Sequence, residues 1–115
     1  MPLLRLQVSV EVPAKTLEAL VLAASKLVAG HLGKPEAYMM VTLDEAAICM
    51  AGKTGPAAAA DLRGIGGFGK PVNEKIAKDL CALLKDQLGI DPARVYINFT
   101  DVAPHMWGWK GATFG

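Results

Sequence analysis

The strongest constraint on the fold is an internal repeat, in which the second half of the chain follows the first at an offset of 56 residues, from position 31 to position 87. The segment HLGKPEAYMMVTL, residues 31–43, aligns at this offset with QLGIDPARVYINF, residues 87–99. Apolar positions upstream keep the same phase, so that Leu20 falls on Ile76. A repeat that runs through helix, turn and strand predicts two copies of one βαβ unit.

The first half shows the elements of such a unit. Residues 3–10 (LLRLQVSV) place apolar side chains on alternate positions, which predicts a strand with one apolar face. Apolar residues then recur at three- and four-residue spacings over residues 17–32, which predicts an amphipathic helix that ends at Gly33. Residues 38–43 are nearly all apolar and predict a second strand.

The second half repeats the pattern. Residues 72–88 carry another helical stripe, Pro71 suits the first turn of that helix, and Gly89 is expected to end it. Residues 94–100 (RVYINFT) predict a strand. We therefore expect an α/β fold in which two pseudo-symmetric βαβ units form a four-stranded mixed sheet with both helices on one face. With 115 residues the chain has the length of a single domain, residues 1–115, with repeat halves of about 1–58 and 59–115.

One face of this sheet is predicted to lack a helical cover. The apolar set that should lie under the helices is Met39, Val41, Leu43, Val95, Ile97 and Phe99. The mixed set on the other face is Tyr38, Met40, Thr42, Arg94, Tyr96 and Asn98. Hydrophobic residues make up 52% of the chain, more than one small core can hold. Another subunit is therefore expected to cover the second face.

Charge and residue usage exclude several classes of protein. Twelve Lys and Arg balance eleven Asp and Glu, which argues against a nucleic-acid binder. Two separate cysteines, Cys49 and Cys81, and two scattered histidines predict neither a disulfide scaffold nor a metal site. The longest apolar stretch, residues 17–32, carries two charges and is too short for a membrane span. Without a secretory signal pattern at the N-terminus, a cytoplasmic location is expected.

The segment Gly64–Gly69 (GIGGFG) matches the GxGxxG pattern of dinucleotide-binding loops. The run before it, PAAAADLR, looks like a poor parallel strand, and Pro71 would start the helix too late for the last glycine to pack against it. A dinucleotide-binding module is therefore the weaker interpretation. A flexible turn that brings backbone amides close to another group is the stronger one, and its N–H groups could still bind a carboxylate.

Pro2 points to acid–base chemistry. Removal of Met1, which is usual before a small residue, would leave a free secondary amine at Pro2. Burial among apolar neighbours, or a nearby cation such as Lys34, would lower the pKa of this amine toward neutral pH. Such an amine could both take and return a proton.

Several motifs together carry a family resemblance: Pro2 opening the first strand, the GKP triplet at 33–35, Ile65 in the glycine loop, and DPARVYIN at 91–98. With the C-terminal WKGATF they span essentially the whole chain, which resembles the tautomerase superfamily, most closely the macrophage migration inhibitory factor and D-dopachrome tautomerase family. The resemblance implies a homotrimer whose sheets form a central barrel, with active sites at subunit interfaces. It implies no cofactor.

The resemblance also implies site roles. Pro2 would be the catalytic base and acid, Lys34 would bind the substrate carboxylate, and the backbone at Ile65 would line the pocket. Tyr96 and Asn98 would come from the neighbouring subunit. The aromatic pocket residues would be Trp107, Trp109 and Phe114, with Trp107 in place of a smaller aliphatic residue. An ordinary structural role stays open for each of these residues. For Lys34 the reason is that the helix dipole alone favours a cation after a helix C-terminus.

The expected function is therefore a cofactor-free keto–enol tautomerase acting on phenylpyruvate-like α-keto acids, and on dopachrome-type substrates. The alternative is a non-catalytic, cytokine-like signalling or interaction protein built on the same trimer. The best-known family member has a CxxC motif where this chain has alanines at 57–60, so no thiol–disulfide activity is carried over.

Overall fold

The computed structural model describes residues 1–115 and contains two βαβ units. The first consists of β1 (Leu3–Val8), α1 (Ala14–Leu32) and β2 (Met40–Glu45). The second consists of β3 (Ala58–Gly64), α2 (Lys70–Leu88) and β4 (Val95–Asp101). Both helices have 19 residues and start 56 positions apart, which is the offset of the sequence repeat. A short hairpin, β5 (Gly108–Trp109) and β6 (Ala112–Thr113), follows.

The four long strands form one mixed sheet in the order β2-β1-β3-β4. Within each unit the two strands are parallel, and the units join through an antiparallel pairing of β1 with β3. The predicted mixed sheet with two pseudo-symmetric units is thus confirmed. Neither helix is long and apolar enough to cross a membrane.

The predicted helix ends are confirmed, and the starts differ slightly. Gly33 and Gly89 close α1 and α2 in the left-handed conformation, with φ of 66° and 68°, where glycine avoids the steric cost of a Cβ. The helix α1 begins at Ala14, ahead of the apolar stripe, with Pro13 as its N-cap residue and the Leu17 N–H donating to the Pro13 carbonyl at 2.9 Å. The strand β2 begins only at Met40, since Glu36–Tyr38 forms a 3₁₀ turn first.

The prediction that the alanine-rich run makes a poor strand is wrong, because this run forms β3, one of the two inner strands of the sheet. Its alternate residues Ala58, Ala60 and Leu62 are buried, and both neighbouring strands supply hydrogen-bond partners. Tertiary pairing therefore outweighs the weak strand propensity of alanine. The helix α2 also begins earlier than expected, at Lys70 with Gly69 as N-cap, so the glycine loop leads directly into it.

The core lies between the helices and one face of the sheet. All six apolar residues predicted to lie there pack against this core: Met39, Val41, Leu43, Val95, Ile97 and Phe99. The opposite face is open in the single chain, where Tyr96 is 73% and Met40 is 61% exposed. The sequence prediction of one covered and one open face is correct.

Candidate functional site

The N-terminus is fixed at the edge of the core. The Pro2 ring is fully buried, and its carbonyl oxygen accepts a hydrogen bond from the backbone N–H of Met40 at 3.1 Å. Gly64 permits this packing, since a Cβ there would lie 3.3 Å from the Met1 carbonyl oxygen. While Met1 is attached, the Pro2 nitrogen belongs to a peptide bond and has no basic lone pair.

Two cavities meet at Met1. The first, which we call the apolar cavity, has a volume of about 450 Å³. Its lining includes Met1, Pro2, Tyr38, Met39, Met106, Trp107 and Trp109. The second, the lysine cavity, has a volume of about 510 Å³ and is lined by Met1, Lys34, Tyr38, Ile65, Pro104, Trp109 and Phe114. Because both cavities share Met1, Tyr38 and Trp109, the first residue lies between a charged compartment and an apolar one.

Lys34 supplies the positive charge of the lysine cavity. It follows Gly33 directly, and its backbone N–H donates to the Ala29 carbonyl at 3.0 Å, which anchors it to the end of α1. Its Nζ donates to the carbonyl oxygens of Ile65 at 2.5 Å and Gly66 at 2.8 Å. Since an ammonium has three N–H donors, the third has no hydrogen-bond acceptor within the chain.

Burial and charge perturb both amines of the site. Desolvation, and then the positive charge of Lys34, lower the pKa of the Met1 amino group below its ordinary value. Desolvation also lowers the pKa of Lys34, while the carboxylate of Asp101 opposes this shift. An amine at this N-terminus is therefore easier to deprotonate than one in water.

Aromatic side chains form the wall shared by the two cavities. Trp109 meets Tyr38 edge to face, with ring centroids 5.7 Å apart, and stacks on Phe114 at 5.9 Å. Tyr38 was missed as a site residue by sequence reasoning, which assigned it only to the open sheet face. Its position four residues after Lys34, on the turn that follows α1, is the signal that could have found it.

Six of the eight predicted site residues come together around Met1: Pro2, Lys34, Ile65, Trp107, Trp109 and Phe114. The other two, Tyr96 and Asn98, line neither cavity and lie exposed on the open face of β4. A third cavity of about 220 Å³, which includes Arg5 and Asp61, lies on the sheet and shares no residue with the other two.

The glycine loop Gly64–Gly69 surrounds a cation. The carbonyls of Ile65 and Gly66 face the Lys34 ammonium, and the Gly66 N–H donates to Asp101 Oδ1 at 2.9 Å. A phosphate site requires free N–H groups, so this geometry argues against the dinucleotide interpretation. The fold shows no group of three or more His, Cys, Asp or Glu residues placed to hold a metal ion.

The comparisons with known proteins agree along the whole chain. The family model described as macrophage migration inhibitory factor matches residues 1–115. The factor from Meriones unguiculatus is 35% identical over 109 residues, which cover 93% of this chain and 95% of that protein. A homolog from Trichuris trichiura is 40% identical over 93 residues, covering 80% and 82%.

Solved structures show the same fold. A macrophage migration inhibitory factor homologue from Prochlorococcus marinus has a TM-score of 0.93 at 33% identity, covering 98% of this chain and 99% of that chain. A structure of a protein inactivated by 2-oxo-3-pentynoate has a TM-score of 0.86 at 19% identity, covering 96% and 94%, and is evidence for the fold alone. The chain belongs to the macrophage migration inhibitory factor family.

Proposed function

We propose that the protein is a cofactor-free keto–enol tautomerase of phenylpyruvate-like α-keto acids, with the amine of Pro2 as the acid–base group. The observation that carries this proposal is the meeting of two cavities, one charged and one apolar, at the residue that precedes Pro2. Removal of Met1 converts the Pro2 amide nitrogen into a secondary amine at that junction. Family membership supports a tautomerase or a cytokine role in general terms.

The amine would cycle between two protonation states. Free Pro2 nitrogen takes a proton from the carbon next to the ketone, and the electron pair of that C–H bond moves into the carbonyl to give the enolate. Water protonates the enolate oxygen to give the enol, and the Pro2 ammonium releases its proton to water. In the reverse direction the Pro2 ammonium delivers its proton to carbon, and the enol O–H loses its proton to water. Because the Met1 amine has a lowered pKa, an amine one residue further into the apolar edge also favours the free base.

The charged and aromatic groups would orient the substrate. Lys34 has one N–H free for the carboxylate, and its other two N–H groups are held by the glycine loop. The stacked Trp109 and Phe114 rings offer a flat surface for the aryl group. Dopachrome-type substrates combine the same carboxylate and ring and are candidates for the same reason.

The test is phenylpyruvate tautomerisation by the Met1-free protein and by Pro2→Ala, which keeps a primary amine. Positioned acid–base catalysis contributes about 10²- to 10⁴-fold, and we expect Pro2→Ala to lose most of that factor. Pro13→Ala is the matched control, since Pro13 is exposed and lines neither cavity. A folded Pro2→Ala variant with unchanged activity would refute the proposal.

The electrophile 2-oxo-3-pentynoate offers a second, covalent test of the amine. A free secondary amine adds through its lone pair to the alkyne carbon distal to the ketone, while a proton goes to the adjacent carbon and nothing is lost. We expect one equivalent of label on the N-terminal peptide of the Met1-free protein. Labelling of lysines alone would contradict a reactive Pro2 amine.

We further propose that the active form is a homotrimer in which Tyr96 and Asn98 enter a neighbouring subunit's site. Support comes from their exposure on an otherwise uncovered sheet face, away from the cavities of their own chain. Sedimentation should give three times the 12.1 kDa of one chain. Refolding Pro2→Ala together with Asn98→Ala should restore activity that neither variant shows alone, because mixed trimers pair intact residues across an interface.

A cytokine-like ligand is the second candidate, since curated relatives carry the name macrophage migration inhibitory factor. Retention of Met1 on the mature protein would favour it, because a methionine cap leaves no amine at Pro2. Intact-mass measurement distinguishes the two candidates.

A further inference from the structure

Asp101 is an ionisable residue beside the site that the proposed mechanism does not use. It is the last residue of β4 and pairs in register with Gly64, the first residue of the glycine loop. Its Oδ1 accepts the Gly66 N–H at 2.9 Å, and the next residue, Val102, donates its N–H to the Gly64 carbonyl at 2.8 Å. The end of β4 therefore holds the loop at two points.

The same loop encloses the Lys34 side chain. The carbonyls of Ile65 and Gly66 accept from Nζ, and a Cβ on Gly67 would lie 3.3 Å from Lys34 Cε. Gly66 and Gly67 have φ of +71° and +89°, a conformation that glycine adopts without the steric cost of a Cβ. The peptide unit between Ile65 and Gly66 therefore donates its N–H to Asp101 and accepts at its carbonyl from the Lys34 ammonium. The next carbonyl, that of Gly66, accepts from the same ammonium.

We propose that Asp101 is a positioning residue, which locks the glycine loop around the Lys34 ammonium and thereby fixes where that ammonium meets the substrate carboxylate. The inference rests on the proposed function for its substrate, whereas the lock itself involves only groups of this chain. The GIGGFG segment thus binds a cation, the Lys34 ammonium, through its backbone carbonyls.

The charge of Asp101 adds to its hydrogen bond. Two charged groups act on the Lys34 ammonium. The Asp101 carboxylate favours the protonated lysine, whereas the protonated N-terminal amine and the Lys34 ammonium repel each other. Loss of the carboxylate charge therefore lowers the pKa of Lys34 further, because desolvation then acts unopposed.

Two substitutions separate the hydrogen bond from the charge. In Asp101→Asn the amide oxygen still accepts the Gly66 N–H, so KM for phenylpyruvate near neutral pH should stay close to wild type. In Asp101→Ala the acceptor is lost, and KM should rise about 2- to 12-fold, the effect of one ordinary hydrogen bond, with little change in kcat. In both variants the alkaline limb of kcat/KM should move to lower pH. Asp91→Asn is the matched control, since Asp91 caps a turn elsewhere by accepting the Ala93 N–H.

Two readouts need no substrate. Amide hydrogen exchange at Gly66 should be faster in Asp101→Ala than in Asp101→Asn or wild type. Titration of the Lys34 ammonium by NMR should show a lower pKa in both variants. A folded Asp101→Ala protein with wild-type exchange at Gly66 and an unshifted Lys34 titration would overturn the proposal. If wild type lacks tautomerase activity while the Gly66 exchange rate and the Lys34 pKa change as expected, the proposed function fails. The role of Asp101 in positioning the loop and Lys34 would still be supported.

Discussion

Replacing Lys34 by methionine keeps an unbranched side chain out to the ε position and removes the charged Nζ. In the folded chain this deletes two hydrogen bonds from Nζ, to Ile65 at 2.5 Å and to Gly66 at 2.8 Å. A hydrogen bond to a charged group contributes about 1.5–3 kcal/mol when well buried. The ammonium is only partly buried, and its desolvation offsets part of the stability that the two hydrogen bonds provide. We therefore expect Lys34→Met to lower the free energy of unfolding by about 1–2 kcal/mol.

The effect on catalysis should be larger than the effect on stability. The proposed bond between the free Lys34 N–H and the substrate carboxylate is also charge-assisted, so its loss should reduce kcat/KM by about 10- to 100-fold. Most of this loss should appear in KM, because in the proposed mechanism Pro2, and not Lys34, moves the proton. Since the charge of Lys34 lowers the pKa of the N-terminal amine, its removal should also move the acidic limb of kcat/KM to higher pH.

The stability of the wild-type protein should depend on pH through the same lysine. The pKa of Lys34 is lower in the folded chain than its ordinary 10.5, so the unfolded state binds more protons between these two values. The free energy of unfolding should therefore rise with pH in that window, and Lys34→Met should remove this contribution.

Steady-state kinetics from acid to alkaline pH, with denaturant unfolding in parallel, measure all three effects. Lys70→Met is the control, because Lys70 is exposed and its only ionic contact is with Glu74 at 3.8 Å. A folded Lys34→Met protein with wild-type KM and an unmoved acidic limb would refute the assignment of Lys34 to the substrate carboxylate.

Three further predictions concern the core, the pocket and the thiols. Leu80 on α2 is fully buried, so Leu80→Ala should cost about 2–5 kcal/mol in denaturant unfolding, and a smaller loss would contradict its place in the core. Trp107→Val should enlarge the apolar cavity and raise kcat/KM for bulky aryl keto acids relative to phenylpyruvate; an unchanged ratio would exclude Trp107 from the substrate path. Burial raises the pKa of the Cys81 thiol, so iodoacetamide should alkylate exposed Cys49 faster, and the reverse order would contradict this.

The sequence predicts the helices well because their stabilising contacts repeat locally. The apolar stripes, the glycines at 33 and 89 and the 56-residue offset all reappear in the structure. The strand β3 is different, since its alanines have weak strand propensity and become a strand only between β1 and β4. The sequence pattern fails for β3 because pairing with distant strands, and not the local preference of alanine, decides its structure.

The site is less accessible to sequence reasoning than the helices are. Pro2 and Lys34 stand in short motifs, whereas the lock of Asp101 on Gly66 joins residues 35 positions apart and has no local pattern. Tyr38 was missed because a 3₁₀ turn, not a strand, aims it at Trp109. In the proposed trimer Tyr96 and Asn98 reach the substrate from a second subunit, so their roles stay predictions.

The central claim is that the secondary amine of Pro2 is the acid–base group, and Met1 tests it without any substitution. Protein made with and without methionine removal, verified by intact mass, is identical from Pro2 onward. The Met1-retaining form has an amide in place of the Pro2 amine and keeps Met1 in the lining of both cavities. The comparison is phenylpyruvate tautomerisation by the two forms at equal concentration and equal oligomeric state. We predict activity in the Met1-free form and none above background in the Met1-retaining form; equal activity of the two forms would contradict the account.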